Sequence, residues 1–422
     1  MDQFVIEGGH PLKGKIRVSG SKNASLPLLV ASMLSRGTTR FSNVPNLRDT
    51  DTLLKILAEL GTRSRREGED LLLETDDEGP VRASYELVST QRASFYVLGA
   101  LLGRRRRAVV SLPGGCVIGF RPVDLHLKGF EALHVKIQIK GGYVEADASR
   151  ARAGRVFLGG AFGSSVGATI NVLFLAVTLP GVTHIDNAAC EPEIMEVCRY
   201  LIACGAKIRG AGSPHLTIEG VDNLKSCPHG VISDRIEAGS YLLLGCHSVA
   251  RDLVVENVEL EEQGALLDVI STMGYEPEEH QGGLRMRRVG DPRPVECTTL
   301  PYPGFPTDCQ AQLMVLLTQF PQLSVITEKV YPDRFIHTAE LARMGARIKK
   351  EGASVFVNGG LPLSGAPVMA SDLRASFALV MAGMLAEGTT QVNRVYHIDR
   401  GYERIDEKLA KVGARISRQN VA

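Results

Sequence analysis

One pattern of apolar and polar positions recurs along the chain. Each copy opens with small and polar residues, enters an apolar helix, and passes through a glycine-rich turn into an alternating strand. A second predicted helix follows and ends in a hydrophobic residue and a glycine, which is the usual left-handed helix cap. Copies of this pattern span residues 21–62 and 165–208. Such a period indicates one supersecondary unit that is used repeatedly.

The spacing of the closing glycines gives the number of copies. These glycines stand at positions 61, 205, 274, 345 and 413, so the last three intervals are 69, 71 and 68 residues. The first interval is 144 residues, or two periods, which predicts a further copy near residue 133 with His134 in place of glycine. Six units of about 70 residues then account for the 422-residue chain. Because this length exceeds one ordinary core, we expect two domains of three units each.

The polarity of the repeated elements predicts how they are layered. The first helices of the copies are apolar around most of their circumference and should be buried; they lie near 26–34, 168–179, 238–250 and 375–385. Strands such as 38–41 and 389–392 alternate and should keep one face in water. The expected fold class is α/β (α+β), with helices inside and sheets outside. Chain crossovers between the domains are expected near Gly20–Ser21 and within 226–230, which joins the first strand to the C-terminal half.

Composition excludes several classes of partner. A chain with 44% hydrophobic and 23% charged residues is typical of soluble globular proteins. The formal net charge of +1 gives no reason to expect a nucleic acid or membrane partner. The longest apolar stretch, 172–179, is too short to span a membrane, and residues 1–4 do not begin a signal peptide. We therefore expect a cytoplasmic protein without membrane insertion.

The cysteines and histidines show no spacing typical of metal sites. The eight cysteines include no Cys-x-x-Cys pair, a usage typical of a reducing cytoplasm. Their contexts predict buried thiols at Cys190, Cys198, Cys204 and Cys246. The ten histidines also lack ligand spacing, so neither a metal nor a cofactor is expected.

A run of four arginines, 104–107, has two interpretations. It could be a patch that binds nucleic acid or lipid, or a solvated turn. It lies between the apolar stretch 98–102 and the strand-like stretch 108–111, without interleaved aromatic residues. A solvated turn is the interpretation that we predict.

The stretch 112–126 surrounds Cys116 with three glycines and two prolines. Proline fixes the backbone at each end and glycine loosens the middle, so this loop could carry a thiol in and out of a cleft. Taken alone, the stretch is equally compatible with a surface turn that carries a free cysteine.

Motifs spread over essentially the whole chain resemble the UDP-N-acetylglucosamine 1-carboxyvinyltransferase family. They lie at 18–24, 91–94, 112–126, 165–169, 187–194, 234–239, 303–308, 333–335, 372–376 and 397–403. The resemblance implies two inverse α/β barrel-like domains of three units each. Their expected extents are 22–230, and 1–21 plus 231–422, with the active site in the cleft between them.

The activity implied by the resemblance is transfer of the enolpyruvyl group of phosphoenolpyruvate to the 3′-hydroxyl of UDP-N-acetylglucosamine. Phosphate leaves, and the reaction is the first committed step of peptidoglycan precursor synthesis. Both substrates are polyanions and require fixed cations. Candidate cations at loop or helix-start positions are Lys22, Arg92, Arg121, Arg334, Arg374 and Arg400. The family pattern assigns Lys22, Arg121 and Arg400 to phosphoenolpyruvate. It assigns Asn23 and Arg92 to the boundary with the nucleotide sugar.

The same resemblance implies the remaining roles. Cys116 is the expected proton donor to C3 of phosphoenolpyruvate, and Asp308 the base or orienting carboxylate at the sugar hydroxyl. Asp308 could also be the N-cap of a following helix. The residues expected at the nucleotide sugar are Arg121, Pro122, Val123, Asp124 and Leu125 at the uridine; Ser165, Val166 and Gly167 at the diphosphate; and Val330 in the second domain. Asp372, like Asp234 and Glu191, is expected to orient other groups.

Two further expectations concern position 163 and an inhibitor. Gly163 replaces a lysine that some family members carry near the diphosphate. The epoxide fosfomycin, which mimics phosphoenolpyruvate in this family, should alkylate Cys116, whereas members with aspartate there are resistant.

Two alternatives stay open. A sister enolpyruvyl transferase acting on shikimate 3-phosphate shares the fold but lacks the cysteine loop. A non-catalytic paralogue would bind UDP-N-acetylglucosamine without turnover. Phosphate release from the two substrates separates both alternatives from the expected activity. The sequence carries no indication of oligomeric partners.

Overall fold

The computed structural model describes residues 2–113, 123–160 and 163–420. The candidates Cys116, Arg121 and Pro122 lie outside the described residues. The described chain divides into two compact units. The N-unit holds residues 20–113, 123–160 and 163–232, and the C-unit holds residues 2–19 and 233–420.

Strands and helices alternate through both units. The strands are β1 (Asp2–Glu7), β2 (Leu12–Arg17), β3 (Ser35–Arg36), β4 (Thr39–Ser42), β5 (Thr62–Glu67), β6 (Asp70–Thr75), β7 (Arg82–Ala83), β8 (Arg107–Ser111), β9 (Lys136–Lys140), β10 (Tyr143–Asp147), β11 (Arg155–Phe157), β12 (Val182–Asp186), β13 (Lys207–Arg209), β14 (His215–Glu219), β15 (Leu224–Lys225), β16 (His229–Gly230), β17 (Ala250–Glu256), β18 (Tyr275–His280), β19 (Gly283–Arg288), β20 (Glu296–Thr299), β21 (Leu323–Glu328), β22 (Arg347–Glu351), β23 (Ser354–Asn358), β24 (Pro367–Met369), β25 (Thr389–Asn393) and β26 (Arg415–Asn420). The helices are α1 (Lys22–Ala31), α2 (Arg48–Glu59), α3 (Tyr85–Val88), α4 (Val97–Arg105), α5 (Asp124–Ala132), α6 (Val166–Ala176), α7 (Pro192–Ala203), α8 (Arg235–Gly245), α9 (Gly264–Thr272), α10 (Gln310–Leu317), α11 (His337–Arg343), α12 (Leu373–Leu385) and α13 (Ile405–Lys411).

The sheets repeat one topology. Within the described residues there are three four-stranded sheets in each unit. In every one an edge strand pairs in parallel with the second strand, and the remaining pairs are antiparallel. The orders are β16-β4-β6-β5, β7-β8-β10-β9 and β11-β12-β14-β13 in the N-unit, and β2-β17-β19-β18, β20-β21-β23-β22 and β24-β25-β1-β26 in the C-unit. In the register of the last sheet, Phe4 of β1 is paired with Val392 of β25 on one side and with Arg418 of β26 on the other. The prediction of six repeated units is confirmed.

The closing residue of every repeat has the same backbone conformation. The five closing glycines have φ between 82° and 107°, and His134 takes the same place with φ of 62°. Each donates its N–H to the carbonyl three residues earlier, as His134 does to Glu131 at 2.9 Å and Gly205 to Ile202 at 2.9 Å. His134 therefore closes the copy that lacks the glycine.

The first helix of each repeat is buried, as its polarity predicted. In α1 every residue from Ala24 to Ala31 is buried, and α12 is buried from Arg374 to Met384. The other central helices are α4, α6, α8 and α10, while the second helices of the repeats bury only one face. Each unit has its own apolar core. Full burial of each large aliphatic side chain stabilises the fold by roughly 1.5–3 kcal/mol.

Hydrogen bonds show that central helices of one unit run in parallel. In the N-unit, the N–H of Gly99 in α4 donates to Asn171 Oδ1 in α6 at 2.7 Å. At the other end, Thr178 Oγ1, just beyond α6, donates to the Gly103 carbonyl of α4 at 3.0 Å. The N-termini of these helices therefore lie at the same end of the unit, where their dipoles favour negative charge.

The arginine run is not a solvated turn, and that prediction is wrong for three of its four residues. Arg104 donates to the carbonyls of Met33, Ser35 and Thr75 at 2.6–3.0 Å, and its side chain is 8% exposed. Arg105 donates to the carbonyls of Leu60, Pro80 and Asp76, and Arg106 to Thr178. These carbonyls include groups at the C-terminal ends of helices, which lack partners within the helix. The guanidinium groups stabilise those ends, and only Arg107 is exposed.

Replacing Arg104 should therefore destabilise the N-unit. In Arg104→Ala three carbonyls lose a charged donor, and we expect a loss of about 2–3 kcal/mol in the free energy of unfolding. Chemical denaturation followed by circular dichroism measures the change. Arg107→Ala, at the exposed end of the run, is the matched control and should change stability by no more than about 0.5 kcal/mol. Equal effects of the two variants would contradict a structural role for Arg104.

The seven described cysteines are free thiols. Cys198, Cys204 and Cys246 are buried as predicted, but Cys190 is only half-buried because it lies in the loop before α7. None of the helices in the described parts of the chain has both the length and the apolarity needed to cross a bilayer.

Candidate active site

The N-unit places its candidate residues at the starts of central helices. Lys22 and Asn23 are the first two residues of α1, whose N-cap Ser21 accepts the Ala24 N–H at 3.2 Å. Arg92 begins the 3₁₀ turn 92–96 that leads into α4. The repeat thus brings an ammonium and a guanidinium group to equivalent positions.

The diphosphate candidates occupy the start of the third central helix. Ser165 is the N-cap of α6 and accepts the Ala168 N–H at 3.2 Å, and Val166 and Gly167 form the first turn. A Cβ atom at Gly167 would lie 2.8 Å from His126 Cε1, so a larger residue does not fit without displacement. A helix N-terminus of this kind binds anions through its N–H groups and its dipole.

Lys22 is held by an acid that the sequence reasoning missed. Lys22 Nζ lies 3.0 Å from Asp49 Oδ2, and the two side chains are 13% and 6% exposed. Asp49 belongs to the first turn of α2. An acidic residue in a first turn is common, so its pairing with Lys22 leaves no distinct signal in the sequence.

The segment expected at the uridine leads into α5. Val123 is the cap residue of this helix, and Asp124 and Leu125 are its first two residues. Asp124 is exposed, whereas Val123 and Leu125 are half-buried. The polar side chain of Asp124 and the apolar Leu125 are thus presented together at a helix start.

The next residue, His126, is buried and neutral. Burial lowers the pKa of His126 to about 3, and the charge of Arg92 acts in the same direction. Asn171 Oδ1 accepts the Gly99 N–H, so its Nδ2 donates to His126 Nδ1 at 2.8 Å. The imidazole proton therefore resides on Nε2, which would lie 2.9 Å from a Cβ atom at position 167.

The backbone conformation at position 163 favours the glycine that stands there. Its φ is 90°, a conformation that L side chains rarely adopt. A lysine at this position would be strained in this local backbone.

The C-unit centres on Asp308, in the 3₁₀ turn Thr307–Cys309 before α10. Arg334 Nη1 donates to Asp308 Oδ1 at 2.6 Å, and Arg374 donates through Nε to Oδ2 at 3.1 Å. Arg374 Nη2 also lies 3.0 Å from Oδ2. The interpretation of Asp308 as the helix N-cap is wrong, because Cys309 occupies the cap and the carboxylate faces two arginines.

Burial and charge act oppositely on these arginines. Burial works to lower the pKa of Arg374, but the Asp308 carboxylate reverses this and raises it. The pKa of Arg334 is raised for the same reason, with Asp372 as a further contributor. Asp308 keeps 27% of its side chain exposed, against 2% for Arg374. The buried guanidinium groups therefore hold the carboxylate in place, while its exposed part is accessible to a ligand.

Asp372 accepts hydrogen bonds through both carboxylate oxygens, and its Oδ2 accepts the Ser371 hydroxyl at 3.2 Å. It is the N-cap of α12 and accepts the N–H groups of Arg374 at 3.0 Å and Ala375 at 3.1 Å. This cap sets the first turn from which Arg374 projects. Asp234 caps α8 in the same way.

Arg400 and Val330 complete the C-unit candidates. Arg400 ends the 3₁₀ segment Val395–Arg400 and is half-buried. Val330 is half-buried two residues beyond β21. Its N–H donates to Glu328 Oε1 at 2.8 Å.

Glu328 is a buried acid beside the C-unit candidates that the sequence reasoning missed. It is fully buried at the end of β21, and its carboxylate accepts hydrogen bonds from four groups. A signal did exist, because Ser324, Ile326 and Glu328 occupy the inward positions of the alternating strand. A glutamate at an inward position indicates a requirement for its carboxylate.

Comparison with known proteins identifies the class to which this fold belongs. The family model of EPSP synthase (3-phosphoshikimate 1-carboxyvinyltransferase) matches residues 6–409. The enolpyruvyl transferase NikO from Streptomyces tendae has a TM-score of 0.89 at 24% identity, with 100% of this chain and 99% of that chain covered. EPSP synthase from Acinetobacter baumannii has a TM-score of 0.74 at 17% identity, with 100% of both chains covered. The fold is that of the enolpyruvyl transferases.

Curated relatives narrow this class. The UDP-N-acetylglucosamine 1-carboxyvinyltransferase 2 of Carboxydothermus hydrogenoformans is 47% identical over 420 residues, 99% of each chain. The UDP-N-acetylglucosamine 1-carboxyvinyltransferases of Anaeromyxobacter sp. strain K and Gluconobacter oxydans are 49% and 46% identical, each over 99% of both chains. The chain belongs to the UDP-N-acetylglucosamine 1-carboxyvinyltransferase family, as its motifs predicted.

Proposed function

We propose that the chain transfers the enolpyruvyl group of phosphoenolpyruvate to the 3′-hydroxyl of UDP-N-acetylglucosamine and releases inorganic phosphate. The observation that carries this proposal is the near-half identity, over almost the full chain, to relatives named for that activity. The reaction is then the first committed step of peptidoglycan precursor synthesis, and the location proposed for the protein is the cytoplasm.

The two polyanionic substrates are bound by cations and helix N-termini. In this proposal Lys22, Arg121 and Arg400 bind phosphoenolpyruvate, and Asn23 and Arg92 lie at its boundary with the nucleotide sugar. Asp49 supports the role of Lys22, because the 3.0 Å ion pair restricts the position of its ammonium group. The start of α6, from Ser165 to Gly167, supplies N–H donors to the diphosphate.

Asp308 is the proposed base or orienting group for the 3′-hydroxyl. A base must hold its oxygen within hydrogen-bonding reach of the proton that it accepts. Arg334 and Arg374 each anchor one oxygen of Asp308, which restricts rotation of the carboxylate. Such an arrangement favours one direction of approach for the sugar hydroxyl.

Cys116 is the proposed acid. Its proton adds to C3 of phosphoenolpyruvate while the sugar oxygen gives its proton to Asp308 and bonds to C2. Phosphate then leaves C2 and a C3 proton returns to the thiolate, which restores both the double bond and the thiol. The thiol must therefore exchange its proton readily, which nearby cations favour by stabilising the thiolate.

Release of phosphate tests the proposal directly. The purified protein should release phosphate only when phosphoenolpyruvate and UDP-N-acetylglucosamine are both present, in amounts equal to the enolpyruvyl product measured by mass spectrometry. Shikimate 3-phosphate in place of the nucleotide sugar is the control and should give none. Release with shikimate 3-phosphate would favour the sister activity, and binding of the nucleotide sugar without release would favour a non-catalytic paralogue.

A further inference from the structure

The buried carboxylate of Glu328 connects two parts of the proposed acceptor site. Its Oε1 accepts hydrogen bonds from Thr299 Oγ1 at 2.5 Å and from the N–H groups of Val330 at 2.8 Å and Tyr331 at 2.9 Å. Its Oε2 accepts one from Thr307 Oγ1 at 2.8 Å. Both oxygens are therefore occupied by neutral donors.

The negative charge of the Glu328 carboxylate is not neutralised by a neighbouring cation in the described part of the chain. Among the residues in the described ranges, no lysine, arginine or histidine forms an ion pair with Glu328. Burial of a carboxylate without a cation carries a large desolvation cost, which only its hydrogen bonds offset. An apolar residue at the end of β21 would avoid that cost. The property of the carboxylate that its surroundings use is its capacity to accept four hydrogen bonds.

One path runs from Glu328 to the proposed base. Thr307 Oγ1 donates to Glu328, so it can accept from Arg334 Nη1, which lies 3.0 Å away. The same Nη1 donates to Asp308 Oδ1 at 2.6 Å. Glu328 thereby determines the direction of the Thr307 hydroxyl, and that hydroxyl helps to place the guanidinium that anchors Asp308.

A second path runs from Glu328 to the segment that follows β21. The N–H groups of Val330 and Tyr331 both converge on Oε1, and this bends the chain back over the strand end. In addition, Thr299 Oγ1 accepts the Lys329 N–H at 3.1 Å. Val330, the expected contact of the nucleotide sugar in this unit, is held at its backbone by the same carboxylate that holds Thr307.

We propose that Glu328 is a positioning residue for the acceptor substrate, which sets Asp308 and Val330 in their relative places. Glu328 does not touch the reacting atoms in this account. The inference rests on the proposed function, because it concerns the binding of the nucleotide sugar and the orientation of its hydroxyl.

Glu328→Gln tests this with little change in shape. Three donors converge on Oε1, so the oxygen of the new amide must stay there and its nitrogen must face Thr307. The Thr307 hydroxyl then receives donors from both that amide nitrogen and Arg334, and its own proton loses its acceptor. We expect KM for UDP-N-acetylglucosamine to rise and kcat to fall, lowering kcat/KM by about 10- to 100-fold. KM for phosphoenolpyruvate should stay near its wild-type value.

A rise in KM for the nucleotide sugar alone distinguishes a positioning role from partial loss of structure. Partial misfolding lowers the amount of active enzyme, which reduces kcat and leaves both KM values unchanged. Glu296→Gln, an exposed glutamate on the neighbouring strand β20, is the matched control and should behave as wild type. Calorimetric binding of UDP-N-acetylglucosamine provides a readout that does not depend on turnover.

Variants of Thr307 test the path itself. Thr307→Val keeps the shape but removes the hydroxyl, and it should reproduce part of the rise in KM for the nucleotide sugar, whereas Thr307→Ser should not. If both changes act through one path, the double variant that combines Glu328→Gln with Thr307→Val should lose less than the product of the single losses. Should Glu328→Gln fail to fold, the two Thr307 variants still decide the question.

The outcomes distinguish this inference from the proposed function. If wild-type protein neither binds the nucleotide sugar nor releases phosphate, the proposed function fails. If wild type turns over while a folded Glu328→Gln variant matches it in kcat and both KM values, the positioning role is wrong. Identical behaviour of Thr307→Val and Thr307→Ser would also overturn it.

Discussion

Fosfomycin is expected to add to this protein once, at Cys116, and to abolish its activity. The thiolate sulfur attacks an epoxide carbon, the carbon–oxygen bond opens, and the oxygen takes up a proton. Addition should be faster with UDP-N-acetylglucosamine bound, because the proposed site then brings Lys22 and Arg121 to the inhibitor. Intact-mass and peptide mass spectrometry should find one inhibitor molecule per chain.

Six of the other thiols are poorly suited to this reaction. Burial raises the pKa of Cys198, Cys204, Cys297 and Cys309 to about 12 in each case. Burial also raises the pKa of Cys190 and Cys246. A raised pKa reduces the fraction of thiolate at neutral pH, and the thiolate is the nucleophile. These described thiols should therefore react slowly with the epoxide at neutral pH.

Three variants sharpen the expectation. Cys116→Ser should lose both labelling and most activity. Cys116→Asp should keep turnover, since a carboxylic acid can deliver the proton, but should resist the drug. Cys227→Ser removes a half-buried thiol from the described part of the chain and is the control, which should keep both labelling and activity. Labelling at another cysteine, or inactivation of Cys116→Asp, would falsify the role given to Cys116.

Asp308→Asn is expected to reduce kcat by about 10²- to 10⁴-fold, the usual contribution of a general base. The amide keeps the size of the side chain but cannot take a proton from the sugar hydroxyl. It also turns its NH₂ group towards a guanidinium group, which weakens the anchoring by Arg334 or Arg374. Steady-state kinetics with saturating substrates measures the loss.

The control for this variant lies in the same part of the chain. Asp333→Asn changes an exposed acid next to Arg334 and should leave kcat near the wild-type value. Circular dichroism and nucleotide-sugar binding establish whether Asp308→Asn is folded and occupied. A folded, substrate-binding Asp308→Asn variant with kcat near the wild-type value would contradict the role of Asp308.

Much of the fold could be predicted from the chain because its signals are local and repeated. The closing glycines and the apolar first helices are each readable within one copy, and the period of the copies then gives their number. Even the copy without a glycine could be located from spacing, and His134 adopts the left-handed conformation that the position requires. The candidate residues Lys22, Ser165 and Asp372 fall at helix starts for the same reason.

The arginine run shows where such reasoning fails. Four successive charged residues are typical of a segment exposed to solvent. Arg104 and Arg105 nevertheless donate to carbonyls more than 20 residues away in the chain. Their surroundings depend on which helix ends meet α4. No local pattern contains that information.

The sequence alone determined the six repeats, the buried first helices, the family and the identities of the candidate catalytic groups. Only the tertiary structure decided what holds those groups. Asp308 meets partners 26 and 66 residues away, Lys22 meets Asp49, and Glu328 gathers donors from three segments. The physical reason is that repeat period and helix caps are short-range properties of the backbone. Burial and pairing of charges depend instead on which distant segments the packed core brings into contact.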